Sequence, residues 1–334
     1  MTRANGSRLT FEDITGCWAI MPTPAVAEAS DWRCHDTVDL EQTTRAVEGL
    51  IAAGVDGILT LGTLGECAAL SWEEKYRFMA AVAETARGRV PVFGGTTSLN
   101  TRETIRQTRE AQSLGLDGTM LGPSMWNKPD IEGVVQFYRD VAEAVPEMAI
   151  CVYANPFAFK FDFPPPFWAR VSEIPQIVMA KTAAYATLLA DVRASGGRIR
   201  MLPLDSEYYG AARLDPDHST AFWSSGACCG PAPALALRDL VTDAKRSGDW
   251  TAARLLAQEL RDANLPIICY GDFNEFQTYN VALEKGRMNR AGWMSAGPNR
   301  PPYQCVPERI RRYAETGGDM WAQLQKKYTG TAIA

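Results

Sequence analysis

The sequence predicts an α/β fold, a (β/α)8 TIM barrel with a C-terminal helical extension. Two observations lead to this prediction: short, continuous apolar runs recur eight times in the first 235 residues, and amphipathic segments separate them. Continuous apolar runs are typical of parallel strands that are buried on both faces. Eight strands that alternate with helices favour a closed barrel with the helices outside. A doubly wound open sheet is the main alternative.

The predicted elements follow one another in a regular order. The strands are residues 17–20, 57–61, 90–94, 118–121, 149–153, 177–181, 199–204 and 220–223. The clearest helices between them are residues 40–53, 72–86, 101–114 and 131–145. Ser71 directly precedes Trp72-Glu73-Glu74, a pattern that is typical of a capped first turn. Glycines such as Gly54 and Gly115 are expected to end helices.

After about residue 235 the pattern becomes helical. Predicted helices cover residues 234–245, 250–264, 275–290 and 308–327. A segment rich in Pro and Gly, residues 296–307, separates the last two helices and is expected to be an ordered loop. We therefore expect residues 10–235 to form the barrel and residues 236–330 to form helices that pack on it.

The charge balance argues against nucleic acid and membrane partners. Of 334 residues, 34 are Lys or Arg and 39 are Asp or Glu, so the formal net charge is −5, and no basic block occurs. No run approaches the roughly 18 apolar residues of a membrane span, and the polar N-terminus lacks the apolar core of a signal peptide. The sequence therefore predicts a cytoplasmic protein.

Histidine and cysteine usage argues against a metal centre. The two histidines, His35 and His218, are remote in sequence, and the eight cysteines form no C-x-x-C pair. The chain also lacks the G-x-S-x-G motif of serine hydrolases and the G-x-x-x-x-G-K motif of P-loop enzymes. Its chemistry is therefore expected to depend on Lys, Tyr, Thr and backbone N–H groups.

Three polar features follow predicted strands two, five and six, whose C-terminal ends would form the active-site face of a barrel. They are Gly62-Thr63-Leu64-Gly65-Glu66, Tyr153-Ala154-Asn155-Pro156 and Lys181. Lys181 closes an apolar strand, where burial favours the neutral, nucleophilic amine that a Schiff base needs. A snorkelling or ion-paired lysine is the alternative. The 62–66 turn can present N–H groups and the Thr63 hydroxyl to a carboxylate, although an ordinary βα turn has the same pattern.

The order and spacing of these features resemble the pyruvate-dependent class I aldolase superfamily typified by N-acetylneuraminate lyase and dihydrodipicolinate synthase. That family carries Gly-Ser/Thr-Thr-Gly-Glu after strand two, Tyr-x-x-Pro after strand five and a Schiff-base lysine after strand six. The matches here are the 62–66 turn, Tyr153 with Pro156, and Lys181, which lies 28 residues after Tyr153. The resemblance covers nearly the whole chain. It implies a barrel enzyme with a small-molecule substrate, no metal and no organic cofactor, in a homo-oligomer that is a tetramer or a trimer or dimer variant.

Three departures from the family pattern narrow the substrate. The family's synthases carry a tyrosine where this chain has Trp126, in Trp126-Asn127-Lys128-Pro129, and an arginine where it has Ala158. The second hydroxyl residue of the glycine turn is Leu64 here. These differences disfavour a biosynthetic synthase and indicate a flatter, more apolar pocket that suits an aryl group.

Longer segments resemble the hydratase-aldolases of aromatic degradation. They are residues 18–24, 153–156, 160–164, 221–226, 271–273, 291–293 and 301–303. Those enzymes cleave trans-2′-carboxybenzalpyruvate, in the phenanthrene route, or trans-o-hydroxybenzylidenepyruvate, in the naphthalene route. The resemblance favours the carboxy-substituted substrate over the hydroxy-substituted one. A non-catalytic 2-keto-acid-binding barrel and a sugar-acid aldolase of the same family are further alternatives.

The resemblance also implies roles for individual residues. Lys181 would form the Schiff base with the C2 ketone, and Tyr153 would relay protons. The Thr63 hydroxyl and the amides of Leu64 and Gly65 would hold the pyruvyl carboxylate. The remaining substrate-binding residues would be Asn155, Trp126, Trp223 and Asn280. Of these, the two tryptophans would border the aryl ring, and Asn280 would donate to its ortho substituent.

Overall fold

The computed structural model describes residues 8–124, 126–182 and 185–330. Within these residues the strands are β1 (Gly16–Ile20), β2 (Gly57–Leu59), β3 (Val92–Gly95), β4 (Gly118–Leu121), β5 (Ala149–Ala154), β6 (Ile177–Thr182), β7 (Arg200–Leu202) and β8 (Ala221–Ser224). They form one parallel sheet in the order β7-β6-β5-β4-β3-β2-β1-β8. A parallel bridge between Leu204, just after β7, and Trp223 of β8 brings the two edges together. The predicted (β/α)8 TIM barrel is therefore confirmed, and the open-sheet alternative is wrong.

Helices surround the barrel and extend it at the C-terminus. They are α1 (Leu40–Ala53), α2 (Trp72–Ala86), α3 (Thr101–Ser113), α4 (Ile131–Ala144), α5 (Pro156–Phe159), α6 (Pro165–Val171), α7 (Leu188–Ala194), α8 (Asp205–Leu214), α9 (Ala232–Ser247), α10 (Thr251–Asn264), α11 (Phe273–Ala291) and α12 (Glu308–Tyr328). Helices α1 and α2 have the predicted bounds. Helices α5 to α8 contain only 4, 7, 7 and 10 residues, too few for a clear 3.6-residue pattern, and they have no predicted counterpart.

Polar caps decide where several of these helices begin. The side chains of Asp39, Ser71, Asn100 and Asp130 each accept a first-turn N–H, at the start of α1, α2, α3 and α4. Ser71 and Glu74 form the predicted capping box. Gly54 ends α1 with a φ of 98°, a left-handed conformation that favours glycine.

The strands are buried on both faces, as their continuous apolar runs predict. Every residue of β5 and β6 is buried, including Lys181. Packing around Trp18 requires glycine on the neighbouring strand, because a Cβ at Gly57 would lie 2.5 Å from the indole. Trp18 also contacts Phe93 edge-on, with ring centroids 5.5 Å apart. This packed interior provides a rigid frame for the side chains at the strand ends.

The C-terminal helices make buried contacts with the barrel. Helix α10 packs against α8, and α12 packs against α9 and α11. The Trp321 indole of α12 is fully buried and donates to the Gly230 carbonyl at 2.8 Å. Arg287 of α11 donates to the Ser225 hydroxyl, just after β8, and to the Asn264 side chain of α10 at 2.8 Å. The boundary between residues 235 and 236 stays a prediction, and the apolar core runs across it.

Two further properties concern the described residues as a set. None of their helices combines the length and the hydropathy of a membrane span. They contain no group of three or more His, Cys, Asp or Glu side chains that is placed to hold a metal ion. The cytoplasmic location and the oligomeric state stay predictions.

Candidate active site

Side chains from four strand ends meet at the C-terminal face of the barrel. Tyr153 of β5 and Lys181 of β6 are direct neighbours in the parallel register. Thr63 follows β2, Asn155 follows β5, and Trp223 belongs to β8. Contacts join all five of these predicted site residues. The structure therefore brings these five residues together, while their roles stay predictions.

The amine of Lys181 lies against two aromatic rings. Its Nζ is 3.7 Å from the ring centroid of Trp223 and 4.8 Å from that of Tyr153. The Trp223 ring is fixed in turn, because its indole N–H donates to the Thr182 carbonyl at 2.8 Å. Lys181 is only 9% exposed, and no carboxylate in the described chain pairs with it. Aromatic faces rather than a carboxylate of the described residues position this amine, and its role as the Schiff-base lysine stays a prediction.

Three polar side chains form a hydrogen-bonded triangle beside the lysine. Thr63 Oγ1 and Tyr153 Oη are 2.8 Å apart, and Asn155 Nδ2 donates to Tyr153 at 3.2 Å and to Thr63 at 3.5 Å. The Asn155 side-chain oxygen accepts the Ala158 N–H, which turns the amide NH2 group toward the two hydroxyls. One hydroxyl donates to the other, so the second hydroxyl hydrogen is free to point at a ligand. The triangle therefore offers a hydroxyl proton beside the Tyr153 ring that the Lys181 amine contacts.

The 62–66 turn carries Thr63 and two N–H groups that are available to a ligand. Within the described ranges, the N–H groups of Leu64 and Gly65 donate to no protein oxygen. Position 65 has no room for a side chain, since a Cβ on Gly65 would lie 2.9 Å from backbone atoms just before the turn. The Thr23 hydroxyl donates to the Gly65 carbonyl at 2.8 Å and ties the turn to the segment after β1. Free N–H groups beside a hydroxyl suit a carboxylate ligand.

The other predicted pocket residues lie in different surroundings. The Leu64 side chain belongs to the apolar core. Trp126, in the loop after β4, is 76% exposed, and its carbonyl accepts a bond from Lys160. Asn280 lies in α11, where its side-chain oxygen is buried and has no hydrogen-bond partner in the described part of the chain. No contact among these residues brings Trp126 or Asn280 to Lys181, and their roles at an aryl group stay predictions.

Two sets of contacts at the site are not predicted from the sequence. Phe159 of α5 packs edge-on against Tyr153, with ring centroids 5.3 Å apart. Its apolar character is the only sequence signal for this contact. Glu66, the last residue of the turn, is buried and paired with Lys285 and Arg300. Those partners lie 219 and 234 residues later, a separation at which spacing carries no signal.

Fold and site together define a class of enzyme. A lysine amine beside a tyrosine and a threonine, at the C-terminal end of a barrel, suits carbonyl chemistry and carbon–carbon bond cleavage. The similarity to named relatives indicates that the chain is an aldolase of the aldehyde-lyase class. It belongs to the dihydrodipicolinate synthetase family, whose sequence profile matches residues 25–200. The family resemblance that the three motifs indicate is therefore confirmed.

Individual relatives place the chain beside hydratase-aldolases. The trans-O-hydroxybenzylidenepyruvate hydratase-aldolase of Pseudomonas aeruginosa is 57% identical over 323 residues, which cover 97% of this chain and 96% of that enzyme. The trans-2'-carboxybenzalpyruvate hydratase-aldolase of Nocardioides sp. (strain KP7) is 36% identical over 330 residues, 97% of each chain. A solved structure, PhdJ bound to substrate intermediate, is 42% identical with a TM-score of 0.93, over 96% of this chain and 99% of that one. The predicted likeness to hydratase-aldolases is confirmed, but these identities favour the hydroxy-substituted type over the carboxy-substituted type.

Proposed function

We propose that the chain is a hydratase-aldolase that converts trans-o-hydroxybenzylidenepyruvate and water into salicylaldehyde and pyruvate through a Schiff base on Lys181. The observation that carries the proposal is the Lys181 amine, which lies against the rings of Trp223 and Tyr153, while the Tyr153 hydroxyl bonds to Thr63. The choice of substrate rests on 57% identity to a hydroxy-type enzyme against 36% to a carboxy-type enzyme. The carboxy-substituted substrate, first among the sequence-based predictions, becomes the second candidate.

The proposed reaction uses one nitrogen as an electron acceptor twice. Lys181 attacks the C2 ketone, and loss of water gives an iminium ion conjugated with the C3–C4 double bond. The positive nitrogen draws electrons from that bond, so water adds at the benzylic carbon C4 and C3 gains a proton. The benzylic hydroxyl then loses its proton, the C3–C4 bond breaks, and its electron pair moves into the iminium. Salicylaldehyde leaves, and the remaining enamine takes a proton at C3 before water releases pyruvate and the free amine.

Tyr153 and Thr63 supply the proton transfers in this scheme. A hydroxyl pair 2.8 Å apart, with one hydrogen free, can give and take a proton at the C2 oxygen and at the benzylic hydroxyl. Asn155 holds the two hydroxyls close together, because its amide donates to the oxygens of both Thr63 and Tyr153. The pyruvyl carboxylate binds the N–H groups of Leu64 and Gly65 together with the Thr63 hydroxyl, which directs C2 toward Lys181.

Trp223, Trp126 and Asn280 are the proposed contacts of the aryl ring. A planar ring that stacks or lies edge-on against a tryptophan gains on the order of 1 kcal/mol beyond the burial of its area. Trp126 is exposed on a loop, so it can cover a ring that projects from the barrel. The unpartnered side-chain oxygen of Asn280 can accept the O–H of a phenol, whereas a carboxylate has no hydrogen to offer it. The Asn280 amide NH2 group can donate to a carboxylate as well as to a phenol, so Asn280 fits either substrate.

Borohydride trapping tests the Schiff base. Reduction in the presence of pyruvate should add a covalent mass that peptide mapping places on Lys181. Lys181→Ala should abolish the adduct. Lys160→Ala, which removes an exposed lysine next to Trp126, is the matched control and should retain it. No adduct on the unmodified chain, or an adduct that survives Lys181→Ala, would overturn the mechanism.

Aldehyde preference tests the substrate. In the condensation direction, pyruvate with salicylaldehyde should form the enone with a higher kcat/KM than pyruvate with 2-carboxybenzaldehyde, followed by enone absorbance. The opposite order would restore the carboxy-substituted substrate. Turnover of N-acetylneuraminate or a 2-keto-3-deoxy acid would instead indicate a sugar-acid aldolase. A pyruvate adduct without any turnover would indicate a non-catalytic 2-keto-acid-binding barrel.

A further inference from the structure

A buried cluster of charged side chains lies at the end of the 62–66 turn. It consists of Glu66, Lys285 of α11 and Arg300 of the loop before α12, and is called the turn clamp below. The Glu66 side chain is 0% exposed, and the two cationic side chains are 1% exposed. Lys285 Nζ donates to the Glu66 carboxylate at 2.7 Å, the Arg300 backbone N–H donates to it at 2.7 Å, and the Arg300 guanidinium donates as well. These bonds compensate the loss of water around the carboxylate.

Arg300 uses all five of its guanidinium N–H donors. Its Nε donates to the Thr37 hydroxyl at 2.6 Å. Its two Nη groups donate to the carbonyl oxygens of Thr23, Pro24 and Thr37 and to the Glu66 carboxylate. Lysine has three donors and no planar fork, so it cannot reproduce this set. Arg300 therefore joins the segment after β1, the segment before α1 and the turn after β2.

The turn clamp reaches the site through the last two residues of the turn. The Glu66 N–H donates to the Thr63 carbonyl at 2.9 Å, and Glu66 adopts a left-handed backbone with a φ of 54°. That conformation is costly for a residue other than glycine, so the side-chain bonds of Glu66 stabilise it. Thr23, whose carbonyl accepts from Arg300, donates its hydroxyl to the Gly65 carbonyl at 2.8 Å. The network therefore contacts the turn at Gly65 and at Glu66, two and three residues after Thr63.

We propose that Lys285 and Arg300 are positioning residues for the pyruvyl carboxylate. They hold Glu66, and through it the turn, in the conformation in which Thr63 contacts Tyr153 and the turn's free N–H groups face the ligand. This inference rests on the proposed function, in which that turn binds the carboxylate. A clamp that only stabilises the fold would lower the melting temperature when it is broken and leave pyruvate affinity unchanged.

Single variants separate these two roles. Lys285→Met keeps most of the unbranched side chain but removes the charge and the hydrogen bonds. The pyruvate concentration for half-maximal borohydride trapping should rise about tenfold or more, while the trapping rate at saturating pyruvate should fall far less. Arg300→Lys keeps the charge but loses the planar guanidinium. It should likewise raise the half-saturating pyruvate concentration more than it lowers the trapping rate at saturating pyruvate. Arg238→Met removes a partly buried pair with Asp56 just before β2, at the opposite end of the barrel, and should leave the pyruvate midpoint unchanged.

A double-mutant cycle shows whether Lys285 acts through the turn. In Lys285→Met combined with Thr63→Val, the two effects on the pyruvate midpoint should be clearly less than additive. Additive effects, or an unchanged midpoint in folded Lys285→Met, would overturn the inference. If Lys285→Met fails to fold, the same cycle is measured with Arg300→Lys and Thr63→Val. Their effects on the pyruvate midpoint should also be less than additive. A wild-type chain that pyruvate and borohydride do not label would overturn the proposed function and this inference with it, whereas a labelled wild type with unaffected variants overturns the inference alone.

Discussion

Removing the Tyr153 hydroxyl separates the chemistry of the site from its packing. In Tyr153→Phe the ring keeps its edge-on contact with Phe159, and only Oη is lost. Thr63 and Asn155 each lose one partner but keep the 3.5 Å hydrogen bond between them. Two lost hydrogen bonds at about 0.5–1.5 kcal/mol each amount to about 1–3 kcal/mol of unfolding free energy. The fold should therefore persist.

The rate should fall much more than the stability in Tyr153→Phe. Loss of a general acid–base group costs about 10²–10⁴-fold in kcat, which corresponds to about 2.7–5.4 kcal/mol of activation free energy. Enone absorbance gives kcat, and circular dichroism gives the melting temperature of the same sample. Borohydride with pyruvate should still label Lys181, but more slowly, because carbinolamine formation also needs the proton.

Tyr138→Phe is the matched control for this substitution. Tyr138 is fully buried on α4 and donates its hydroxyl to the Leu121 carbonyl at 2.8 Å. Its variant should lose comparable stability without a large loss in kcat. Nearly full kcat in Tyr153→Phe, or equal losses in both variants, would refute proton transfer by Tyr153. Thr63 or water would then carry the proton.

Three further predictions follow from single residues. Asn280→Ala should lower kcat/KM for salicylaldehyde by about 1–3 kcal/mol and hardly change that for benzaldehyde, whereas equal losses would show that Asn280 does not contact the ortho group. Gly65→Ala should raise the half-saturating pyruvate concentration, because its Cβ would lie 2.9 Å from the Leu61 backbone; an unchanged concentration would contradict this. Burial lowers the pKa of Lys285 to about 8 from 10.5, against the opposing charge of Glu66. The folded chain therefore binds fewer protons than the unfolded chain between about pH 8 and 10.5, so this residue's contribution to stability should rise with pH there, by up to about 1.4 kcal/mol per pH unit. Urea unfolding of wild type and Lys285→Met across that pH range gives the difference in their free energies of unfolding. A difference that does not change with pH would contradict the prediction.

The features that the sequence predicts correctly depend on neighbours along the chain. The Ser71 and Glu74 capping box lies within one helical turn, and Lys181 lies within β6 at the end of its own apolar run. The order of the strands follows from their alternation with helices. Strand β7 is shorter than the predicted 199–204 segment, because its pairing with β6 ends at Leu202. Chain direction and parallel pairing together place the site residues at one face of the barrel.

The features that escape prediction depend on contacts between distant segments. Arg300 stands in a Pro-rich loop, where a charge is ordinarily solvated, yet it is buried against residues more than 200 positions earlier. The position of Asn280 depends on how α11 packs, which helical periodicity does not specify. The two candidate substrates differ only in one ortho substituent, which few protein atoms can contact, so motifs shared across the family do not distinguish them.

The dependence of Glu66 on cations near the end of the chain imposes an order on biosynthesis. Glu66 leaves the ribosome long before Lys285 and Arg300, its partners 219 and 234 positions later. Burying its carboxylate before they arrive would cost several kcal/mol, so the nascent barrel must keep this turn hydrated. A chain stalled before residue 285 would contain all eight strands and Lys181 but neither of the cations that pair with Glu66. Under the proposed function, a chain that lacks Lys285 and Arg300 should therefore bind pyruvate poorly at this turn, even though its strands and Lys181 are complete.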